Sequence, residues 1–133
     1  MINSCGIILM NYDGKFLLLK NKNYYDFPKG ENQENESFLQ TALRELKEES
    51  SLVNIEFCFG INRFSTEIYR NGKKQAHYFL ARTNHNENDV ILNINPELGF
   101  PEHDAYFWLT KEEICDKLNE RVLKVFLEAL KTI

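Results

Sequence analysis

Cysteine is scarce in this chain of 133 residues, and the three present, Cys5, Cys58 and Cys115, are odd in number and far apart. They form neither a disulfide framework nor a zinc-ligand spacing, so a reducing compartment, the cytoplasm, is the expected location. Long apolar runs are missing too: nothing approaches the ~18 residues of a membrane span, and no membrane partner is expected. Met1–Met10 carries neither the basic segment nor the small-residue cleavage site of a signal peptide. Positive charge is in deficit, with 16 Lys and Arg against 20 Asp and Glu and a net charge of −4. That balance argues against a protein that coats nucleic acid or anionic lipid, so no stable nucleic-acid partner is expected. A small anionic ligand remains compatible if a metal ion supplies local positive charge. Internal repeats and long linkers are absent, and residues 1–133 read as one domain. A P-loop, an H-E-x-x-H helix and a G-x-S-x-G elbow are likewise missing.

What is present is a chain able to bury a core, with 43% hydrophobic and 13% aromatic residues. Cys5–Met10 and Lys15–Lys20 read as strands around an Asp13-Gly14 turn, which predicts a hairpin. Ile55–Asn62 and Phe64–Tyr69 also read as strands. Asn71-Gly72 marks a second turn leading into Gln75–Arg82, and Ala105–Leu109 is a further short strand. Ser37–Glu49 reads as a helix opened by a capping box, Ser37 to Gln40, with Leu39, Ala42, Leu43 and Leu46 as its core face. Thr110–Leu130 reads as helix with a second capping box, Thr110 to Glu113, and a break at Asn119. Thr83–Phe100 is expected to be mostly loop. Strands before, between and after helices predict an α+β fold, a mixed sheet sandwiched by helices.

The first helix carries a cluster with a cost. Glu45, Glu48 and Glu49 stand at i, i+3 and i+4, so their carboxylates project together near the helix C-terminus. Like charges there repel by a few tenths of a kcal/mol per pair, and the helix dipole adds to the penalty. A solvated acidic face is the ordinary explanation. A divalent cation would offset the repulsion, and clustered hard oxygen ligands suit Mg2+ or Mn2+ bridging to phosphate. Arg44 is placed to pair with Glu36 or Glu48 and to hold a carboxylate in one orientation.

Gly30, five residues, Glu36, seven residues and Arg44-Glu45-Leu46-Lys47-Glu48-Glu49-Ser50-Ser51-Leu52 together resemble the Nudix box, G-x5-E-x7-R-E-U-x-E-E-x-G-U. Every fixed position matches except the second glycine, which is Ser51 here. A left-handed backbone is usual at that position, where serine costs on the order of 1 kcal/mol. The resemblance implies a Nudix-type α/β/α sandwich with a central mixed sheet and hydrolysis of a nucleoside diphosphate linked to another group. It implies Mg2+ or Mn2+ held by Glu45, Glu48 and Glu49, with Arg44 in the catalytic set.

The flanks resemble one Nudix subfamily, the asymmetrically cleaving dinucleoside tetraphosphate hydrolases. Tyr25-Asp26-Phe27-Pro28-Lys29-Gly30 is similar to its W-x-x-P-K-G lead-in, which makes Lys29 and Tyr25 substrate-binding candidates. Lys74-Gln-Ala-His-Tyr78-Phe-Leu-Ala81 resembles its K-x-x-x-Y-[FW]-L-A strand, implying that Lys74 touches polyphosphate and Tyr78 stacks on a base. Of Tyr78 and Phe79, on alternate faces, only one is expected to point inwards. Glu102-His103-Asp-Ala-Tyr106-Phe-Trp108 resembles E-H-x-x-Y-x-W, implying Glu102 as a further metal ligand or base and Tyr106 as the other side of a base clamp. Trp108 is expected in the core and His103 outside the catalytic set. Two positions depart from the subfamily: Glu31 stands where histidine is common, and Asn35 where glycine is.

The expected substrate is a small nucleotide, diadenosine tetraphosphate, cleaved to ATP and AMP. Alternatives are the triphosphorylated 5′ end of RNA, another nucleoside diphosphate linked to some group, a diphosphoinositol polyphosphate, or a non-catalytic nucleotide sensor on the same scaffold. Ser51 is the only residue that speaks for the sensor.

Overall fold

A computed structural model describes every residue, Met1–Ile133. Its centre is strand β1 (Ile2–Asn11), which pairs in parallel with β6 (Lys74–Thr83) along its whole length, from Ile2 opposite Lys74 to Asn11 opposite Thr83. Residues Ser4–Leu9 are all buried, the continuous apolar run of a strand covered on both faces. β2 (Phe16–Asn21) meets β1 only at the turn, Met10 opposite Phe16, and then diverges. Its remaining partners are β9 (Ala105–Leu109) on one side and β3 (Tyr24–Asp26) on the other. β4 (Lys29–Glu31) pairs back onto Ser4–Gly6 of β1. The expected hairpin is therefore a V, and Tyr24–Glu31 lies across its opening. β5 (Arg63–Ser65) borders β6 on the far edge.

Alternation sorts the side chains into two cores. Ile8, Phe16, Leu18, Tyr78 and Leu80 point to one face and pack on α2 (Lys111–Cys115) and α3 (Glu120–Leu130) through Ile114, Val122, Val125 and Phe126. Cys5, Ile7, Leu9, Leu17, Leu19 and Phe79 point to the other and pack on α1 (Phe38–Ser50) through Ala42 and Leu46. The result is the expected mixed sheet between helical layers. Both predicted capping boxes form, at Ser37 with Gln40 and at Thr110 with Glu113, and Asn119 caps α3 where the break is predicted. No helix is long and apolar enough to cross a membrane.

Four expectations differ from the structure. Tyr78 and Phe79 are both buried, because the sheet has helices on both sides. Leu43 is 37% exposed, on the shoulder of a stripe in which Thr41 and Glu49 are buried instead. Ile55–Asn62 forms only an isolated bridge, Glu56 with Arg82, and Phe64–Tyr69 contributes only the start of a strand. The first segment rounds the sheet edge: Ile55 and Phe57 pack with the α1 layer, while Phe59 packs with the α3 layer. Its alternating pattern serves two cores rather than one strand. Within the Thr83–Phe100 loop a small hairpin forms from β7 (Ile94–Asn95) and β8 (Phe100–Pro101).

Candidate active site

The segment across the V supplies the floor of a cleft of about 930 Å³, with α1 along one side and the β7–β8 hairpin along another. Asp26 anchors it. Buried to 5% exposure, its carboxylate accepts hydrogen bonds from Phe27 N (2.7 Å), Tyr78 Oη (2.9 Å) and Tyr24 Oη (3.1 Å), and lies 3.3 Å from Lys29 Nζ. Burial pulls the Lys29 ammonium down, but Asp26, Tyr24 and Tyr69 outweigh it, so Lys29 stays charged. Gly30 comes next. A Cβ there would collide with the Glu45 carboxylate, which lies directly against the glycine backbone. That contact is why the first box position has no side chain.

On α1, Arg44 orders the acids around it. Its guanidinium donates to both Glu36 oxygens (Nε at 2.7 Å, Nη2 at 3.0 Å), while Nη1 donates to Glu45 (2.8 Å) and Glu48 (3.3 Å) and Nη2 to the Glu31 carbonyl (3.1 Å). The fork thus pairs with Glu36 and Glu48 at once and pins Glu45. The Arg44 bond, with help from Thr41 and the Gln33 amide, holds the Glu36 carboxyl down at about 2. Glu36 is a permanent anchor with no part to play in proton transfer at neutral pH.

Glu49 faces inward and accepts from the Lys29 amide at 2.9 Å. Burial first, then the charges of Glu45 and Glu102, push its carboxyl up to about 10. Glu102 and His103, which follow β8, bring ligand atoms within 4.8 Å of Glu49 and of each other, and His103 Nδ1 lies 3.8 Å from Glu49 Oε2. Burial lowers the His103 pKa against the opposing pull of Glu102, Asp26 and Asp104, which favours the neutral ring. Left out of the expected catalytic set, His103 lines the cleft; its pairing with Glu102 was visible in the sequence, but its distance from Glu49 was not.

The cleft gathers Lys29, Arg44, Glu45, Glu48, Glu49, Lys74 and Glu102 of the expected site. The aromatic residues are a different matter. Tyr78 is completely buried in the α3 layer and offers no face to a base; its hydroxyl serves Asp26. Tyr106 packs at the margin of the opposite layer, with the sheet between the two rings, so the expected clamp does not exist. Tyr25 rests against Phe107, ring centroids 6.0 Å apart, with Lys117 Nζ 5.4 Å from its own centroid, and does not line the cleft. Tyr24 and Tyr69 lie close enough to act on the Lys29 charge, and Tyr69 sits beneath the Arg121 guanidinium at 3.7 Å. Burial lowers the Lys74 pKa, and the neighbouring charges of Lys29 and Arg70 lower it further, so that end concentrates positive charge.

Chemically the cleft opposes a carboxylate-rich wall, with the His103 ring at its edge, to a pair of lysines. A buried carboxyl that keeps its proton up to about 10 beside Glu45 and Glu102 marks a site short of positive charge. The donor set of Glu45, Glu48, Glu49 and Glu102 fits a hard divalent cation, which would supply that charge. The lysines suit an anionic chain of phosphates alongside.

A model of the NUDIX domain matches residues 2–130. An RNA pyrophosphohydrolase of Pelagibacter ubique (strain HTCC1062) is 28% identical, with 93% of this chain and 85% of the relative aligned. The asymmetrical bis(5'-nucleosyl)-tetraphosphatase of Mus musculus is also 28% identical, over 96% of this chain and 91% of that protein. Among solved structures, the binary complex of a C. elegans Ap4A hydrolase superposes with a TM-score of 0.76 at 23% identity, covering 100% of both chains, a likeness of fold. With its box glutamates gathered in one cleft, the chain belongs to the NUDIX domain family of hydrolases.

Proposed function

We propose that the cleft hydrolyses a phosphoanhydride of diadenosine tetraphosphate, giving ATP and AMP, with Mg2+ or Mn2+ held by Glu45, Glu48, Glu49 and Glu102. The observation that carries this reading is the placement of four glutamates against Lys29 and Lys74 across one cleft. The cation would polarise a phosphoryl oxygen and lower the pKa of a water. Lys29, fixed by Asp26, and Lys74 hold the polyphosphate as point charges. Arg44 keeps Glu45 and Glu48 oriented, so little reorganisation is needed when substrate enters. A carboxylate of the set takes the proton of the attacking water as the P–O anhydride bond breaks and the leaving phosphate carries off its electron pair. The asymmetrical tetraphosphatase relative supports this substrate.

The triphosphorylated 5′ end of RNA is the second reading. The net charge of −4 argues against it, but Lys29, Arg70 and Arg121 lie close enough to Lys74 to lower its pKa beyond what burial does, a short basic cluster that extends from the lysine end of the cleft. The RNA pyrophosphohydrolase relative points the same way. Incubation with Mg2+ and either diadenosine tetraphosphate or 5′-triphosphorylated RNA, with products resolved by anion exchange, separates the two. ATP and AMP at much the higher kcat/KM is the expected result. Faster pyrophosphate release from RNA moves the assignment to RNA, and binding without turnover of either moves it to a nucleotide sensor.

A further inference from the structure

The C-terminus of α1 is the one end of the catalytic helix that a separate loop closes. Ser51 adopts the left-handed conformation, φ 68°, and its amide bonds the Lys47 carbonyl at 2.9 Å. The Ile91 amide bonds the Ser50 carbonyl at 3.0 Å. Asn93 Nδ2 donates to the Glu48 carbonyl (2.9 Å), the Lys47 carbonyl (3.3 Å) and Ser51 Oγ (2.9 Å), and Ser51 Oγ in turn donates to the Ile91 carbonyl (3.4 Å). Glycine would satisfy this backbone more cheaply. What serine adds is its hydroxyl, and the hydroxyl bonds only to the 91–93 loop.

Resting on the glutamate site assigned above, we propose that Ser51 and Asn93 are positioning residues, a latch that holds the 91–103 segment to the catalytic helix and so places Glu102 against Glu49. The segment touches α1 twice, at its start through Ile91 and Asn93 and at its end through Glu102 and His103 beside Glu49. Between those points Leu92, Ile94, Asn95, Pro96 and Pro101 wall the cleft. Ile91, Ile94, Leu98 and Phe100 all remain exposed and Leu92 alone of the segment's aliphatic side chains packs on the α1 layer, so apolar burial fixes the hairpin at one point and the hydrogen bonds at its base supply the rest. The serine that departs from the box is thereby coupled to the one glutamate that the box does not supply.

Ser51→Gly, Asn93→Ala and the double variant test this in the full chain. Because glycine favours the left-handed backbone, Ser51→Gly is expected to keep or raise Tm while amide exchange across 91–103 quickens and exchange within α1 does not. With Mg2+ and diadenosine tetraphosphate, its kcat falls about tenfold with little change in KM, as expected when a reacting group is displaced by a fraction of an ångström. Asn93→Ala gives the same pattern, and the double variant is no slower than the slower single one. Unchanged exchange in Ser51→Gly, losses that multiply in the double variant, or a kcat loss that only tracks a fall in Tm would each overturn the latch. Exchange is read without substrate, so absence of dinucleotide turnover in the wild type would sink the substrate assignment and leave the latch to be decided by exchange alone.

Discussion

Glu48 shows how exposure and function diverge at the scale of single residues. Its side chain is 56% exposed, yet Arg44 holds it beside Glu45 rather than leaving it free in solvent. Glu48→Gln keeps an oxygen for Arg44 and removes the charge, so its effect on folding should stay within ~0.5 kcal/mol. Turnover is expected to fall by about 10²-fold or more, because a cation ligand is lost. Steady-state kinetics across a Mg2+ titration checks this, and an unchanged kcat would remove Glu48 from the site. The spacing of the three box glutamates made this set legible in the sequence. The role of Asp26 was not legible. An aspartate between two aromatic residues has no periodic signature, and only the fold brings Tyr78 and Lys29 to its two oxygens.

Helix α1 turns Arg44, Glu45, Glu48 and Glu49 into one cleft beside a narrow buried stripe, so its start must be fixed as firmly as its end. Ser37 Oγ accepts from the Gln40 amide at 3.1 Å and Gln40 Oε1 from the Ser37 amide at 2.7 Å. Ser37→Ala removes half of that box and is expected to cost about 1 kcal/mol, a fall of roughly 4 °C in Tm, with kcat retained. Thermal denaturation beside an activity assay reads both, and a loss of kcat at unchanged Tm would mean that the cap governs the site rather than the helix. Caps of this kind are local hydrogen-bonding patterns, which is why Ser37, Thr110 and Asn119 could be placed from sequence alone. Ile55–Asn62 was misread because alternation records burial without recording which layer buries it.

Charge balance in the cleft links the whole molecule to pH and metal. Without a cation the folded chain keeps the Glu49 proton up to about 10, whereas the unfolded carboxyl releases it near its ordinary 4.5. Folded protein therefore binds more protons across that interval, and stability is lost as pH rises toward the folded value. A divalent cation requires the ionised carboxylate and expels the proton. Between about pH 7 and pH 9 the metal-free Tm should fall, and the Tm gain from saturating Mg2+ should widen. Titration calorimetry in buffers of different ionisation enthalpy should register the released proton; a gain independent of pH, with no proton release, would take Glu49 out of the cation site.

The sequence by itself determined the helices, the mixed-sheet class and the clustering of the box glutamates. Each rests on residues near one another along the chain: caps, alternating strands, and carboxylates one helical turn apart. Tertiary structure alone decided which aromatic rings are free. Tyr78 lies on a strand covered on both faces and Tyr106 on one that is only partly covered, and period-two alternation states that successive side chains part without stating what waits on either side. The same holds for Glu102, His103 and Asn93, which meet α1 only because the chain returns to it more than forty residues later along a path that no local pattern encodes.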